Sequence, residues 1–566
     1  MRGRNMKRMT AMTRLPLAAI AMLLTASAYA AVPGITGPNF NLIAQDAYLN
    51  QPDGAAVYAW GYGCNGAPSG FLPAAIGGAT CPTMQVPGPT LIVTEGQTVT
   101  INLTNGLPTA AGNTSILFAG LQVSATGGVV GLLTQEAPPG GSVQYMISNL
   151  TAGTHAYYSG TQSDLQVEMG LYGAIVVLPA HVPPNCTGGI HAANRNAQLH
   201  WGEADFRLSQ AAYDHPASCY DREYLFQWSE MDPNIHKQAS AQILDPARQK
   251  ACATGPTAPG CSLTVPTEPY HPAYFLINGR SMPDLMDPNY VPEYPHQPYN
   301  GNPHMHPGEL TLIRTIGQGR WQHPFHEHAN HVRILARDGN MELSNSMIQY
   351  VGSASTAPAL SGLLMFNTDT TPGQAFDGIV YFTGRGLNWD SYAHHPNDPS
   401  DPLASLTCTP DAYGYNTGFP ATDPNYTTSP NPAAVNAVNF WEWCQDHNKP
   451  LQVSPFGDVP SGGPMTLPDP NIFTNGAWYG GSPYLGPDAS LRANAPACAG
   501  GSNPPAAGCT NLQPANMQAN PANERGWAFM WHSHNEREIT TNNVFPGGML
   551  MMMLVDSREF LIDESM

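Results

Sequence analysis

The sequence predicts an all-β fold. Short runs with alternating apolar side chains, such as Val99-Thr100-Ile101-Asn102-Leu103, are separated by turn residues, and the chain holds 56 glycines and 55 prolines against only 11% charged residues. No stretch shows a long amphipathic helical period. Sheets packed face to face as β-sandwiches are therefore the expectation, with room for two or three such domains.

At the start of the chain, Arg2, Arg4, Lys7, Arg8 and Arg14 accompany an apolar run from Leu15 to Leu24, and Ala28-Tyr29-Ala30 follows as a small-residue cleavage signature. This predicts an export signal over 1–30 and a mature protein in a periplasm or outside the cell. The run is too short to cross a bilayer, and no run of about 20 apolar residues occurs later, so no membrane span is expected. The leader carries five basic residues and no acid, so its removal moves the formal net charge from −19 to −24. After it, only Lys237, Lys250 and Lys449 remain as lysines. So acidic a surface repels phosphate backbones, which argues against nucleic acid as a partner; it is expected to serve solubility outside the cell, and it also allows attraction of cations, metal ions included.

All ten cysteines follow the leader, an even number in an oxidising compartment. Short separations suggest local staples joining Cys64 to Cys81, Cys252 to Cys261 and Cys498 to Cys509. Cys186 with Cys219 and Cys408 with Cys444 complete the set, although spacing alone leaves the connectivity open. None adjoins a histidine, so structural disulfides are expected rather than thiolate ligands.

From Val86 the chain reads V-P-G-P-T-L-I-V-T-E-G-Q-T-V-T-I-N-L-T-N-G-L-P. It continues through Ser115 to Leu121, Pro138-Pro139-Gly140, and Gly153-Thr154 to Gly170-Leu171-Tyr172-Gly173-Ala174-Ile175-Val176-Val177. This order resembles the first cupredoxin domain of multicopper oxidases. The resemblance implies tandem cupredoxin-like Greek-key β-sandwiches and copper as cofactor. It also shows what is missing, because the family places His-x-His pairs where this chain has Leu117-Phe118-Ala119 and Tyr158-Ser159-Gly160. The leucine, phenylalanine and alanine are expected to pack in the core, and Tyr158 to be a buried or rim tyrosine.

The expected organisation is a first cupredoxin-like domain over 31–182, a connecting region or partial middle domain over 183–270, and a second cupredoxin-like domain over 271–390 and 520–560. A loop-rich, disulfide-stapled insertion fills 391–519. Three complete cupredoxin domains are the rival arrangement. Within 183–270, Ala197 to Gly202 and Glu223 to Glu230 are expected to be strands. Tyr274 to Arg280, Gly308 to Arg314 and Thr370 to Phe382 belong to the second domain, and the methionines of Met549 to Val555 to its core.

Two histidine clusters carry the chemistry: His323-Pro324-Phe325-His326-Glu327-His328-Ala329-Asn330-His331 and Trp531-His532-Ser533-His534-Asn535-Glu536. Alternate side chains of a strand share a face, so His326 with His328, and His532 with His534, can each present two imidazoles on one side. On neighbouring strands they make a metal cage, which on ligand type alone suits copper, zinc, iron or nickel. Glu327 and Asn535, on the other face, are expected to orient ring N–H groups, with His331 as a further candidate. His304-Met305-His306 is expected to be a surface loop with a potential for binding copper.

The two clusters are similar to the family's His-Pro-x-His-x-His-Gly and His-Cys-His motifs, which again implies copper. In the family the cysteine of the second motif is the thiolate of the blue centre; here Ser533 stands there, and Glu538 stands at the position of a second blue-centre histidine. Only His323 survives from that centre, and a hydroxyl cannot replace a soft thiolate. The resemblance therefore implies an exported copper protein with fewer ions than the family's usual set, held by His326, His328, His532 and His534, with His323 as a further candidate. Ordinary four-copper oxidase activity is not expected. Altered oxidoreductase activity on a small molecule or metal ion is one outcome; a non-catalytic, copper-sequestering or interaction protein is the other. Two-domain family members self-associate, so a homo-oligomer is expected by analogy alone.

Overall fold

The computed structural model describes residues 31–200, 202–306, 309–328, 331–350, 353–381, 524–556, 562 and 564, with short strand segments at 409–410, 416–417 and 482–485. The expected leader over 1–30 and the expected pairs Cys408–Cys444 and Cys498–Cys509 lie outside the described residues.

The first β-sandwich packs a six-stranded sheet on a five-stranded one. The six run in the order Phe71–Leu72, Gly34–Thr36, Leu91–Thr94, Tyr172–Leu178, Gly153–Tyr158, Leu117–Phe118. The five run Ala56–Cys64, Asn39–Asn50, Val99–Asn105, Ser142–Ser148, Gln122–Gly127. Alternation explains the second sheet: Val99, Ile101 and Leu103 point inward with Val143, Tyr145 and Ile147, while the residues between them face out. Leu117 and Phe118 form a strand in which Phe118 is buried against Tyr145 and Tyr157, as expected of a core residue, whereas Leu117 and Ala119 are only half-buried. Tyr158 is half-buried at the strand end.

Tyr172–Leu178 is an apolar run without alternation because both its faces are covered. Ile175 and Val177 face the first core, whereas Ala174 and Val176 pack with Leu225, Ile316 and Ala375 of the second sandwich. Polar groups close the same junction: Thr154 Oγ1 donates to Asp377 at 2.6 Å, and Arg314 bonds Thr154 at 3.1 Å and Glu223 at 3.1 Å.

The second sandwich has a sheet ordered Tyr274–Ile277, Arg222–Met231, Leu310–Gly317, Ala375–Tyr381, Val332–Arg337, Asn340–Met341. The facing sheet is ordered His304–Met305, Leu550–Asp556, Glu524–Ser533, His323–Glu327, Asn367–Thr370. Between them lie Trp228, Phe325, Trp531 and the fully buried Met549, Met551 and Met553, so these methionines are core, as expected.

Glu223 to Glu230 lies in a strand of this sheet, paired in parallel with Leu310–Gly317. The strand expected over Ala197 to Gly202 is not seen at Ala197–His200, which ends the helix Gly189–His200. Its short apolar alternation is ambiguous between the two periods, and its alanines and glutamine favour the helix. Helices Pro233–Leu244 and Pro246–Cys252 are also present. Asp232 and Asp245 cap them, each accepting from a backbone N–H two residues on, with proline at the first helical position. The disulfides Cys64–Cys81, Cys186–Cys219 and Cys252–Cys261 form as expected. No helix among the described residues is long and apolar enough to cross a membrane.

Candidate metal centre

Strands His323–Glu327 and Glu524–Ser533 are antiparallel neighbours, with His326 directly opposite His532, Phe325 opposite Ser533, and Glu327 opposite Trp531. The pleat sends Phe325, Glu327, Trp531 and Ser533 into the sandwich, where each is at most 1% exposed. His326 and His532 therefore share the other side, joined by His328 just beyond the strand end. One ligating nitrogen from each of His326, His328 and His532 lies within 4.8 Å of the others.

Backbone carbonyls set two of these rings. Nδ1 of His326 donates to the carbonyl of Phe366 at 2.8 Å, and Nδ1 of His532 to the carbonyl of Ser533 at 2.7 Å. A carbonyl only accepts, so the proton sits on Nδ1 and the lone pair on Nε2. Nε2 of His532 is 3.2 Å from Nε2 of His328. Burial lowers the pKa of both His326 and His532, and neighbouring imidazoles lower it further. With its lone pair on Nε2, His532 accepts from Nε2 of His328, and the neutral rings of His326 and His532 are in the form in which histidine binds a metal ion.

His534 flanks this trio. Its ring centroid is 4.8 Å from that of His326, but the side chain is 52% exposed and Nδ1 lies 3.5 Å from Glu536. His331 packs against the ring of Phe366 at 5.0 Å, outside the trio. Glu327 and Asn535 do not orient the imidazoles as expected: Thr368 donates to Glu327, Asn535 donates to Glu538, and carbonyls hold the rings. Burial raises the Glu327 pKa well above its ordinary value.

His323 stands apart, on the inward face of its strand. Nδ1 bonds Glu538 at 2.8 Å and Nε2 bonds Glu230 at 2.9 Å, with all three side chains fully buried. Burial alone lowers the imidazole pKa, but the two carboxylates outweigh it and raise it to about 9. His323 is thus an imidazolium. Glu538 also accepts from the hydroxyl of Ser533, and Tyr270 donates to Glu230 at 3.1 Å. Glu230 was missed from sequence, although an acid inside Tyr224-Leu225-Phe226-Gln227-Trp228 and its continuation signals a buried partner.

His304-Met305-His306 is not a surface loop. His304–Met305 is a buried strand parallel to Leu550–Asp556, and His306 Nε2 bonds Glu203 at 2.6 Å. Charges from Glu203, Glu309 and Arg222 partner one another there, which an apparently polar Pro-Gly-Asn tract does not advertise.

The family profile described as multicopper oxidase matches residues 80–181. Two curated relatives, Multicopper oxidase MCE of Talaromyces pinophilus and Laccase abr2 of Aspergillus fumigatus, are each 38% identical over 103 residues, 18% of this chain and 16% of theirs. The match thus spans less than a fifth of either relative. Solved structures similar to the chain include the multicopper oxidase mgLAC, at 13% identity over 92% of this chain and 86% of that one, with a TM-score of 0.41. A blue copper oxidase from Nitrosomonas europaea is 13% identical over 91% of this chain and 85% of that one, with a TM-score of 0.40. Residues 80–181 are thus similar to the multicopper oxidase family, and within them Leu117-Phe118-Ala119 and Tyr158-Ser159-Gly160 stand where that family's first-domain histidine pairs are expected.

Proposed function

We propose that this is an exported copper-binding protein that holds one copper ion on His326, His328 and His532, with His534 near enough to complete the set. The observation that carries this reading is the convergence of three imidazole nitrogens within 4.8 Å, two of them on rings whose protons are fixed elsewhere by carbonyls. Three or four imidazoles fit copper well, since each supplies a borderline nitrogen donor. When bound, copper would supply Lewis acidity and one-electron redox capacity. The chain's own residues keep the imidazoles neutral and oriented, and leave the site open to solvent beside His534.

Binding is favoured over oxidase turnover by what fills the place of the blue centre. A buried imidazolium between Glu230 and Glu538, with Ser533 bonded to the second, satisfies every polar group there without a metal. Reconstitution with Cu(II), followed by metal analysis and oxygen uptake on phenols, Fe(II) and Mn(II), tests the proposal. Tightly held copper without a blue thiolate band or oxygen consumption is expected. A blue band with sustained turnover on any of these substrates contradicts it.

A further inference from the structure

The outward face of the five-stranded sheet in the first sandwich carries an open groove of about 420 Å³ with no charged side chain in its lining. Asn41, Asn102, Gln144 and Thr126 stand in one row across four adjacent strands, fixed by register. Thr104 and Ser142 form a second row beside it. The amides orient one another: Asn102 Nδ2 donates to Asn41 Oδ1 at 2.9 Å, and Gln144 Nε2 donates to Asn102 Oδ1 at 2.9 Å. Asn65 Nδ2 donates to Thr104 Oγ1 at 3.1 Å. This leaves Asn41 Nδ2, Asn65 Oδ1 and Gln144 Oε1, together with the hydroxyls of Thr126 and Ser142, for a ligand. Held in place before binding, they lose little rotamer freedom when it arrives.

Charge narrows what that ligand is. Between Ala31 and Asn194 the chain has no lysine and no arginine, so nothing in this sandwich neutralises an anion. The groove lining holds no carboxylate either, although the chain has 41 acids, so it does not select a cation. Its lining lacks the aromatic and large exposed apolar residues that anchor a protein partner. Fixed amides and hydroxyls without charge match a polymer of neutral hydroxyls.

We propose that this groove binds a neutral polysaccharide, independently of the copper site. Native affinity electrophoresis of the whole protein in gels containing galactomannan or hydroxyethyl cellulose, with polygalacturonate as the acidic control, tests it. The parent should be retarded by at least one neutral polymer and not by polygalacturonate. The Asn102→Ala/Gln144→Ala double variant should bind about tenfold more weakly, as expected for the loss of one or two net hydrogen bonds. Thermal unfolding and copper content of the variant should match the parent, which separates lost binding from lost fold. Unretarded parent protein on both neutral polymers overturns the proposal, as does retention unchanged in the variant. Sedimentation showing that the groove instead joins two copies, with the variant monomeric, also overturns it.

Discussion

Nδ1 of His323 donates to Oε2 of Glu538 across 2.8 Å, in a place where neither side chain touches solvent. With Glu230 on the other ring nitrogen at 2.9 Å, an ion cluster fills this part of the interior. Removing the cation leaves two carboxylates buried without it. His323→Ala should therefore lower unfolding free energy by ~3–5 kcal/mol, the cost of breaking a buried ion pair from one side. Urea denaturation of parent and variant measures this; a change under ~1 kcal/mol would show that the cluster is not ionised.

The same imidazolium makes stability depend on alkali. Its folded pKa of about 9 lies above the value near 6.5 expected in the unfolded chain, so folding takes up a proton between them. The stabilisation is fully present below ~6.5 and is lost as pH rises through about 9. The denaturant midpoint should fall between about pH 6 and about pH 10 in the parent, and fall less in Glu538→Gln. An equal fall in both would assign the alkaline loss to other groups.

Restoring the sulfur alone should not restore colour. Ser533→Cys places a thiol beside Glu538, where the family has a histidine, and His323 remains bound between its carboxylates. The expectation after copper reconstitution is no intense visible thiolate band, whereas Ser533→Cys with Glu538→His and Glu230→Gln should begin to show one. A strong band in the single variant would mean that copper displaces the ion cluster.

The first-domain resemblance, the sandwich fold and the pairing of the two histidine strands were legible in the sequence because each is written in local signals. Alternation gave Val99–Asn105 and Ser142–Ser148 their faces, and the His-x-His spacings put His326 beside His328. What was hidden depends on partners distant along the chain. Glu230 meets His323 across 93 positions and Glu203 meets His306 across 103, so neither pairing leaves a local pattern. The helices Pro233–Leu244 and Pro246–Cys252 carry a local start signal in Asp232-Pro233 and Asp245-Pro246, an acidic cap followed by proline at the first helical position. His534 illustrates a third limit: alternation placed it with His532, yet it lies past the end of the strand and turns toward solvent.

Acid should release copper late. Since burial lowers the pKa of His326 and His532, protons compete for these rings only below the ordinary imidazole range. Equilibrium dialysis against Cu(II) should find the copper still bound at about pH 6, with release on further acidification. Release already complete near neutral pH would contradict the neutral, converging rings.

The most direct measurement is the copper content of the His326→Ala/His532→Ala variant beside the parent, after reconstitution with Cu(II) and exhaustive dialysis. The parent should retain about one equivalent and the variant almost none, because the double change removes two of three converging nitrogens. Equal copper in the two proteins would place the ion elsewhere and end the assignment of a centre on these strands.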